Sequence, residues 1–398
     1  MKIRILLIAV FALILSGCVG TPDKSGWHSS QKQEFMQILK SDKYLSLCDQ
    51  KPLYEQVKKS NDSQLMTKLL VGYTNNLANS CIVQPVTTAY RQKVSVSHIQ
   101  AQLRAGKSIE KILHPYVPEY KLFAELSAKY KALKKSGASP KTLHKIRMSI
   151  ERIKLMKPGL GKVYALVNIP EFKVHLIEND MTTVTMKVVV GKRKHETPIF
   201  SENLSYITLN PTWNVPDSIA RNEIIPKTLR NPGYLKAHRL VIRKDYNLDS
   251  PPLKFNPSLA RNYVGGKGPV PFKFIEVPSN KNALGRVKFI FPNQHSVYMH
   301  DTPAKSLFKR KSRAFSHGCV RLEKPQYMLQ YLSQNYTAHE WEDVQKKLKS
   351  MKTHYLKITK KLPVHTAYLT AYVDDEGVLK TFNDIYGYDA SEQLNFTR

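Results

Sequence analysis

Residues 298–322, YMHDTPAKSLFKRKSRAFSHGCVRL, concentrate the side chains in this sequence best suited to nucleophilic chemistry. Cys319 lies beside Gly318, with His317 two residues before it and Arg321 two after, and a second histidine, His300, stands 19 residues upstream. A thiol attacks as its thiolate, which a neighbouring histidine or cation favours. The separation of His300 from Cys319 is too long for one helix face, so the chain must fold back to bring them together. Residues 287–291 and 296–300, rich in β-branched and aromatic side chains, read as short strands. In the second, Tyr298 and His300 share one face and Val297 and Met299 the other. His300 then ends a strand, and Asp301-Thr302-Pro303 breaks it. A long loop carrying Lys305, Lys309, Arg310, Lys311 and Arg313 returns to Ser316-His317-Gly318-Cys319. Loops of this length within a compact domain are usually functional or disordered.

HDTP, a gap, and then SHGCVRL resemble the signature of the L,D-transpeptidase (YkuD) family. Further motifs, NALGRVKF at 282–289 and LNPTWNVP at 209–216, resemble its larger, lid-bearing (YcbB-like) branch, as do YALVNIP at 164–170 and VVVG at 188–191. Together they cover roughly residues 145–390 in the family's order. The resemblance implies a mostly β catalytic domain and a cysteine acyltransferase that needs no cofactor or metal. In that reading His300 is the base, oriented by a backbone carbonyl, and Cys319 is the nucleophile. The implied substrate is a peptidoglycan tetrapeptide stem. Its acyl group passes through a thioester to a diaminopimelate amine, releasing D-alanine and giving a 3-3 cross-link. Water as acceptor would make the enzyme an L,D-carboxypeptidase, and a protein amine would make it a protein-anchoring enzyme.

The residues themselves agree with acyl transfer. Gly318 permits a tight turn in which N–H groups around His317, Gly318 and Cys319 can face an oxyanion. His317 then helps shape that site, Asp301 shapes the HDTP turn, Tyr298 forms a pocket wall, and Arg321 either meets a substrate carboxylate or, as the preferred reading, braces the loop. Two other chemistries compete. His295, His300, His317 and Cys319 offer zinc ligands, although their spacing fits no standard zinc pattern. Ser316 is a poorer nucleophile than Cys319. A non-catalytic wall-binding lipoprotein is the alternative from another class.

Net charge is +31, from 62 basic and 31 acidic residues, which points to an anionic partner. The N-terminus decides among such partners. Lys2 and Arg4 precede a wholly apolar run at 5–15 and the small residues Ser16-Gly17, as in a secretory signal too short for a membrane span. LSGC at 15–18 resembles a bacterial lipobox, with Cys18 as the lipid-modified residue and a signal peptide over 1–18. Val19 and Gly20 supply no acidic retention residue, so the expectation is an exported, outer-membrane lipoprotein facing the periplasm, with no nucleic-acid partner. Of the four cysteines, Cys48 and Cys81 then remain as a possible disulfide and Cys319 as the odd, reactive thiol.

The expected fold class is α+β, a helical scaffold followed by a mostly β catalytic domain. Residues 19–30 read as a polar tether and 31–160 as the scaffold, with helical spacing over 33–47, 53–77, 99–113, 120–133 and 141–156. Residues 161–398 read as the catalytic domain, with strands over 163–169, 173–177, 182–190, 205–209 and 366–373 and helices over 325–336 and 339–348. Residues 217–270 interrupt the strands with a helix followed by Gly- and Pro-rich segments, an inserted cover able to move.

Overall fold

A computed structural model describes residues 22–86, 90–157 and 162–396; the expected signal peptide and Cys18 lie outside them. The chain is α+β and divides into two compact units.

The first unit takes residues up to Cys81, Gln92–Val117 and the last residues of the chain, and is helical. Its helices are shorter than hydrophobic spacing suggests, because local backbone chemistry cuts them. The pattern over 53–77 is two helices, Lys51–Ser60 and Ser63–Asn79. Asn61 turns left-handed (φ 48°), and the Asp62 carboxylate accepts from the Gln64 and Leu65 N–H groups, capping the second. The pattern over 99–113 likewise breaks at Gly106 (φ 67°), into Val96–Arg104 and Ile109–Leu113. Phe35 anchors the core between Trp27 and Tyr73, with ring centroids at 5.9 and 6.2 Å. The described part of the expected tether, 22–30, belongs to this core. Trp27 is buried and its indole N–H donates to Thr67 Oγ1 at 2.9 Å, so a polar composition concealed one large anchor. Cys48 and Cys81 are joined in a disulfide, Cα to Cα 6.2 Å.

The second unit begins its main part at Pro118 rather than near 160. Helices Lys121–Lys135 and Pro140–Lys154, expected in the scaffold, therefore fold with the catalytic unit. The second helix carries a buried reason. Arg152 forms ion pairs with Asp389 at 2.6 Å and Glu392 at 2.8 Å, two residues of the C-terminal tail. A buried cation requires such partners.

The sheet strands, in chain order, are β1 (Val163–Asn168), β2 (Lys173–Glu178), β3 (Met181–Gly191), β4 (Phe200–Asn203) and β5 (Tyr206–Leu209). Then come β6 (Trp213–Asn214), β7 (Leu240–Arg243), β8 (Lys273–Glu276), β9 (Val287–Ile290), β10 (Met299–His300), β11 (Ala314–Ser316), β12 (Val320–Leu322), β13 (His354–Lys357) and β14 (Pro363–Ala367). The main sheet runs β13-β5-β9-β10-β12-β3-β2-β1-β14-β4, with β11 also on β3. The expected strand over 366–373 is split. Residues up to Ala367 pair with β1, whereas β15 (Ala371–Val373) forms a separate hairpin with β16 (Leu379–Thr381). A contiguous core of β-branched and aromatic side chains, including Val188, Phe289, Phe291, Met299 and Val320, fills one side of this sheet.

The insertion is larger than 217–270 and folds around its own core. β6, β8 and β7 make a three-stranded sheet, and Val215, Ile224, Ile225, Phe272 and Phe274 pack in a cluster separate from the main one. A continuous helical stretch runs from Asp217 to Arg230, with a π-helical turn at Ala220–Ile224.

Candidate active site

Strand register assembles the floor of the site. Thr208 on β5 pairs with Lys288 on β9, Lys288 with His300 on β10, and His300 with Arg321 on β12. On β13, Tyr355 pairs with Thr208. Side chains opposite one another on neighbouring strands point to one face, so these five residues form a row across the sheet. All five line one cavity of about 630 Å³, together with Tyr298, Cys319 and the insertion residues Trp213 and Glu223. The alternate residues Val297 and Met299 are buried in the core, as the alternation of that strand predicts.

Four motifs hold the cysteine turn and the histidine. Gly318, at φ 112°, requires glycine. The Thr197 hydroxyl accepts from Gly191 N–H at 2.9 Å and donates to the Gly318 carbonyl at 2.7 Å, tying the end of VVVG to SHGC. A Cβ on Gly191 would stand 2.1 Å from the His195 carbonyl, so this approach also demands glycine. In HDTP, Asp301 accepts from Arg286 N–H at 2.9 Å, Thr302 N–H at 2.7 Å and Lys305 Nζ at 2.7 Å, shaping the turn. Gly285 of NALGRVKF is left-handed, and a Cβ there would meet the Asp301 carboxylate at 2.3 Å. In LNPTWNVP, left-handed Asn210 donates to the carbonyls of Lys347, Leu348 and Lys352 and accepts from Arg286 Nε at 2.7 Å, fixing the entry to the insertion.

The His300 ring donates from Nδ1 to the Asp301 carbonyl at 2.5 Å, leaving Nε2 as the basic nitrogen. Burial, with Arg321 and Lys288 on either side, pushes its pKa down to about 3 against the two backbone carbonyls, of Asp301 and Leu284, that favour the charged ring. It is therefore neutral at pH 7. Burial pushes the Cys319 thiol up, opposed by the Tyr298 N–H and hydroxyl, Lys288 and Arg321. The thiol donates to the Ser296 carbonyl at 3.8 Å. The structure thus brings Cys319 and His300 into one cavity, but no hydrogen bond joins them among the described residues; Tyr298 is the side chain that reaches the sulfur.

His317 points elsewhere. Its Nε2 meets Glu223 Oε1 of the insertion's π turn at 3.0 Å, and its ring lies 4.7 Å from that of His195. Of the candidate oxyanion donors, Gly318 N–H is taken by Ser316 Oγ at 3.1 Å. The N–H groups of His317 and Cys319 have no partner among the described residues. Ser316 is occupied as well, its hydroxyl donating to the Cys319 carbonyl at 2.6 Å, which makes it a clasp of the turn rather than a nucleophile. The ligand atoms of His295, His300, His317 and Cys319 are not gathered within 4.8 Å of one another, so the zinc arrangement is not formed. Arg321, expected to brace the loop, makes no hydrogen bond to it, and its buried Nε has no partner among the described residues. The brace is Arg313, which donates to the carbonyls of Val188, Phe172 and Arg310. Glu223, Thr197 and His195 had no local motif to mark their roles; Lys288 lies within NALGRVKF, where strand alternation puts it opposite the core residues Val287 and Phe289.

Residues 162–344 match the family model described as the L,D-transpeptidase catalytic domain, YkuD. A Haemophilus influenzae protein named "Putative L,D-transpeptidase" is 31% identical over 254 residues, which are 63% of this chain and 49% of that protein. The chain thus spans about half the length of the curated relative it matches. Among solved structures, an L,D-transpeptidase from Mycobacterium smegmatis aligns at 12% identity and TM-score 0.24 over 51% of this chain and 58% of its own. The Ldtfm–avibactam carbamoyl enzyme aligns at 10% identity and TM-score 0.25 over 75% and 80%. Residues 162–344 are thus similar to the L,D-transpeptidase (YkuD) catalytic domain.

Proposed function

We propose that the protein is a peptidoglycan L,D-transpeptidase of the lid-bearing branch. Cys319 attacks the carbonyl of the L-centre to D-alanine bond in a tetrapeptide stem. His300 Nε2 takes the thiol proton and returns it to the departing D-alanine amine. The acyl group, held as a thioester on Sγ, passes to the side-chain amine of a neighbouring diaminopimelate and gives a 3-3 cross-link. The observation that carries this reading is the meeting of Cys319 with a neutral, carbonyl-oriented His300 in one cavity of a domain similar to the YkuD catalytic domain.

The proton transfer requires Sγ to leave the Ser296 carbonyl and turn toward Nε2, a side-chain rotation of a kind common between free and substrate-bound sites. The developing oxyanion is held by the free N–H groups of His317 and Cys319. We also propose export, lipid attachment through Cys18, and action on the wall from the periplasmic face of the outer membrane.

Incubation with purified tetrapeptide muropeptides, read by mass spectrometry, tests the function. The expected products are free D-alanine and 3-3 dimers. Cys319→Ala should lower turnover by at least about 10³-fold, as expected on removing a covalent nucleophile, while leaving the fold intact. Tripeptide monomers alone would mean a carboxypeptidase. No turnover, with an unreactive thiol, would mean a binding protein.

A further inference from the structure

We propose that Lys288 and Arg321 form an anion site beside Cys319 that takes the C-terminal carboxylate of the peptide being cleaved. The two cations flank His300 on the neighbouring strands β9 and β12, in direct register with it. Adjacent strands lie about 4.8 Å apart, so their backbones are roughly 10 Å from each other, and two long side chains can converge on one group between them. Both line the cavity that holds the thiol.

Neither cation has an anionic partner among the described residues. Arg321 makes no ion pair, and its buried Nε is unpartnered. Lys288 makes no ion pair either; its ammonium lies 3.8 Å from the centroid of the Tyr298 ring. Glu223 is the acidic side chain lining this cavity; it acts on Arg321 only at a distance, while its Oε1 is engaged by His317 at 3.0 Å and its Oε2 by Lys227 at 3.5 Å. Elsewhere in this unit two buried cations are matched, whereas Arg221 of the insertion, like Arg321, has buried nitrogens without a hydrogen-bond partner among the described residues. Arg152 pairs with Asp389 and Glu392, and Arg313 spends its N–H groups on carbonyls. Two like charges kept half-buried and unmatched in a cavity are costly unless an anion arrives to share their hydrogen bonds.

Geometry selects which anion. Both cations line the cavity that holds Cys319 and stand in register with His300, so the group they hold shares that cavity with the atom under attack. In a peptide cut at its last bond, the terminal carboxylate is a single residue from the attacked carbonyl, about 3.8 Å in Cα spacing. Internal peptide bonds offer no charge at that distance. The pair thereby restricts the enzyme to the end of a peptide. This inference rests on the acyl-transfer reading for its substrate, but the anion site is measurable without turnover.

The experiment is protection of Cys319 in the full-length protein from iodoacetamide, a neutral thiol reagent, by N-acetyl-D-alanine and by its C-terminal amide. Each protein is compared with itself, so a changed thiolate fraction in a variant cancels. In wild type the acid should protect at about tenfold lower concentration than the amide, the factor expected for one charge-assisted pair of hydrogen bonds. Lys288→Met and Arg321→Met should each bring the two ligands to within about twofold. Equal protection by acid and amide in wild type overturns the proposal, whether or not the variants fold. So does retention of the acid preference in folded Lys288→Met, since a lysine acting only on the thiolate would leave the ratio unmoved. The muropeptide reaction is run in parallel. Turnover without acid preference refutes the anion site and leaves the function standing. Acid preference without turnover does the reverse.

Discussion

His300 stays neutral because of its neighbours. A buried imidazole between two cations cannot hold a proton at physiological pH, and the Asp301 carbonyl at Nδ1 leaves Nε2 as the acceptor. The thiol is raised by burial, so at neutral pH the resting pair is thiol and neutral imidazole rather than thiolate and imidazolium. This fixes a pH signature. Alkylation of Cys319 by iodoacetamide should rise about tenfold per pH unit from pH 6 to 8, following the thiolate fraction below the thiol pKa, with no shoulder near the usual histidine range. A plateau between pH 6 and 7 would indicate a preformed ion pair instead. His300→Ala should lower D-alanine release by about 10² to 10⁴-fold, the usual span for a general base, and Asp301→Asn much less. The types and spacing of Cys319, Gly318 and His300 singled them out as candidates in the sequence, and the fold brings Cys319 and His300 into one cavity. The sequence did not mark the roles of Lys288 or Glu223. Alternation gives the face of Lys288, but its neighbours depend on cross-strand register, and the role of Glu223 depends on a contact across about 94 residues of chain that leaves no local pattern.

At the scale of elements, the insertion, proposed above as a lid, is the informative part. Periodicity marked a helix near 217–229 and breakers marked an insertion, but the boundaries at β6 and β8 were hidden because two- and four-residue strands give little alternation to read. Its separate core predicts that it can be removed. Val215 N–H donates to the Phe274 carbonyl at 3.0 Å, so a short Gly/Ser turn joining these two residues replaces 216–273 without moving the main sheet. The shortened protein should still react with iodoacetamide at Cys319 but form tripeptide in place of 3-3 dimer, because water reaches the thioester. An unchanged product ratio in the folded protein would show that the insertion is not a cover. Glu223→Gln, which weakens the contact of lid to His317, should shift the ratio the same way by a few-fold. Glu276, at the base of the lid, gives a second handle. Burial pushes its carboxyl up to about 7, against the Ala283 N–H that it accepts. The unfolded carboxyl ionises near 4.5, so this residue's penalty is absent below that pH and grows as pH rises toward 7. Glu276→Gln should therefore raise Tm at pH 8 and leave it nearly unchanged at pH 4; an equal effect at both would assign the change to packing.

At the scale of the whole molecule, cysteine usage ties the fold to a compartment. Cys48 and Cys81 close a loop of 33 residues within the first unit, while Cys319 stands free in the second. Chain-entropy reasoning gives such a cross-link about 3–4 kcal/mol, a large share of the stability of a small helical unit. The three tryptophans make this measurable: Trp27 is buried in the first unit, Trp213 begins the lid, and Trp341 opens the Trp341–Lys349 helix of the second. With Trp213 and Trp341 replaced by Phe, fluorescence follows the first unit alone. Cys48→Ala with Cys81→Ala should then lower its unfolding free energy in urea by about 3–4 kcal/mol, with Cys319 alkylated at its original rate. An unchanged transition would mean that the helical core around Trp27, Phe35 and Tyr73 suffices without the cross-link. The same pair tests the proposed export. A protein lacking residues 1–18 and held in a reducing cytoplasm should label at Cys48 and Cys81 with a thiol reagent, whereas protein recovered after export should label at Cys319 and at neither of the other two. Full labelling of exported protein at Cys48 and Cys81 would remove both the disulfide and the compartment it implies.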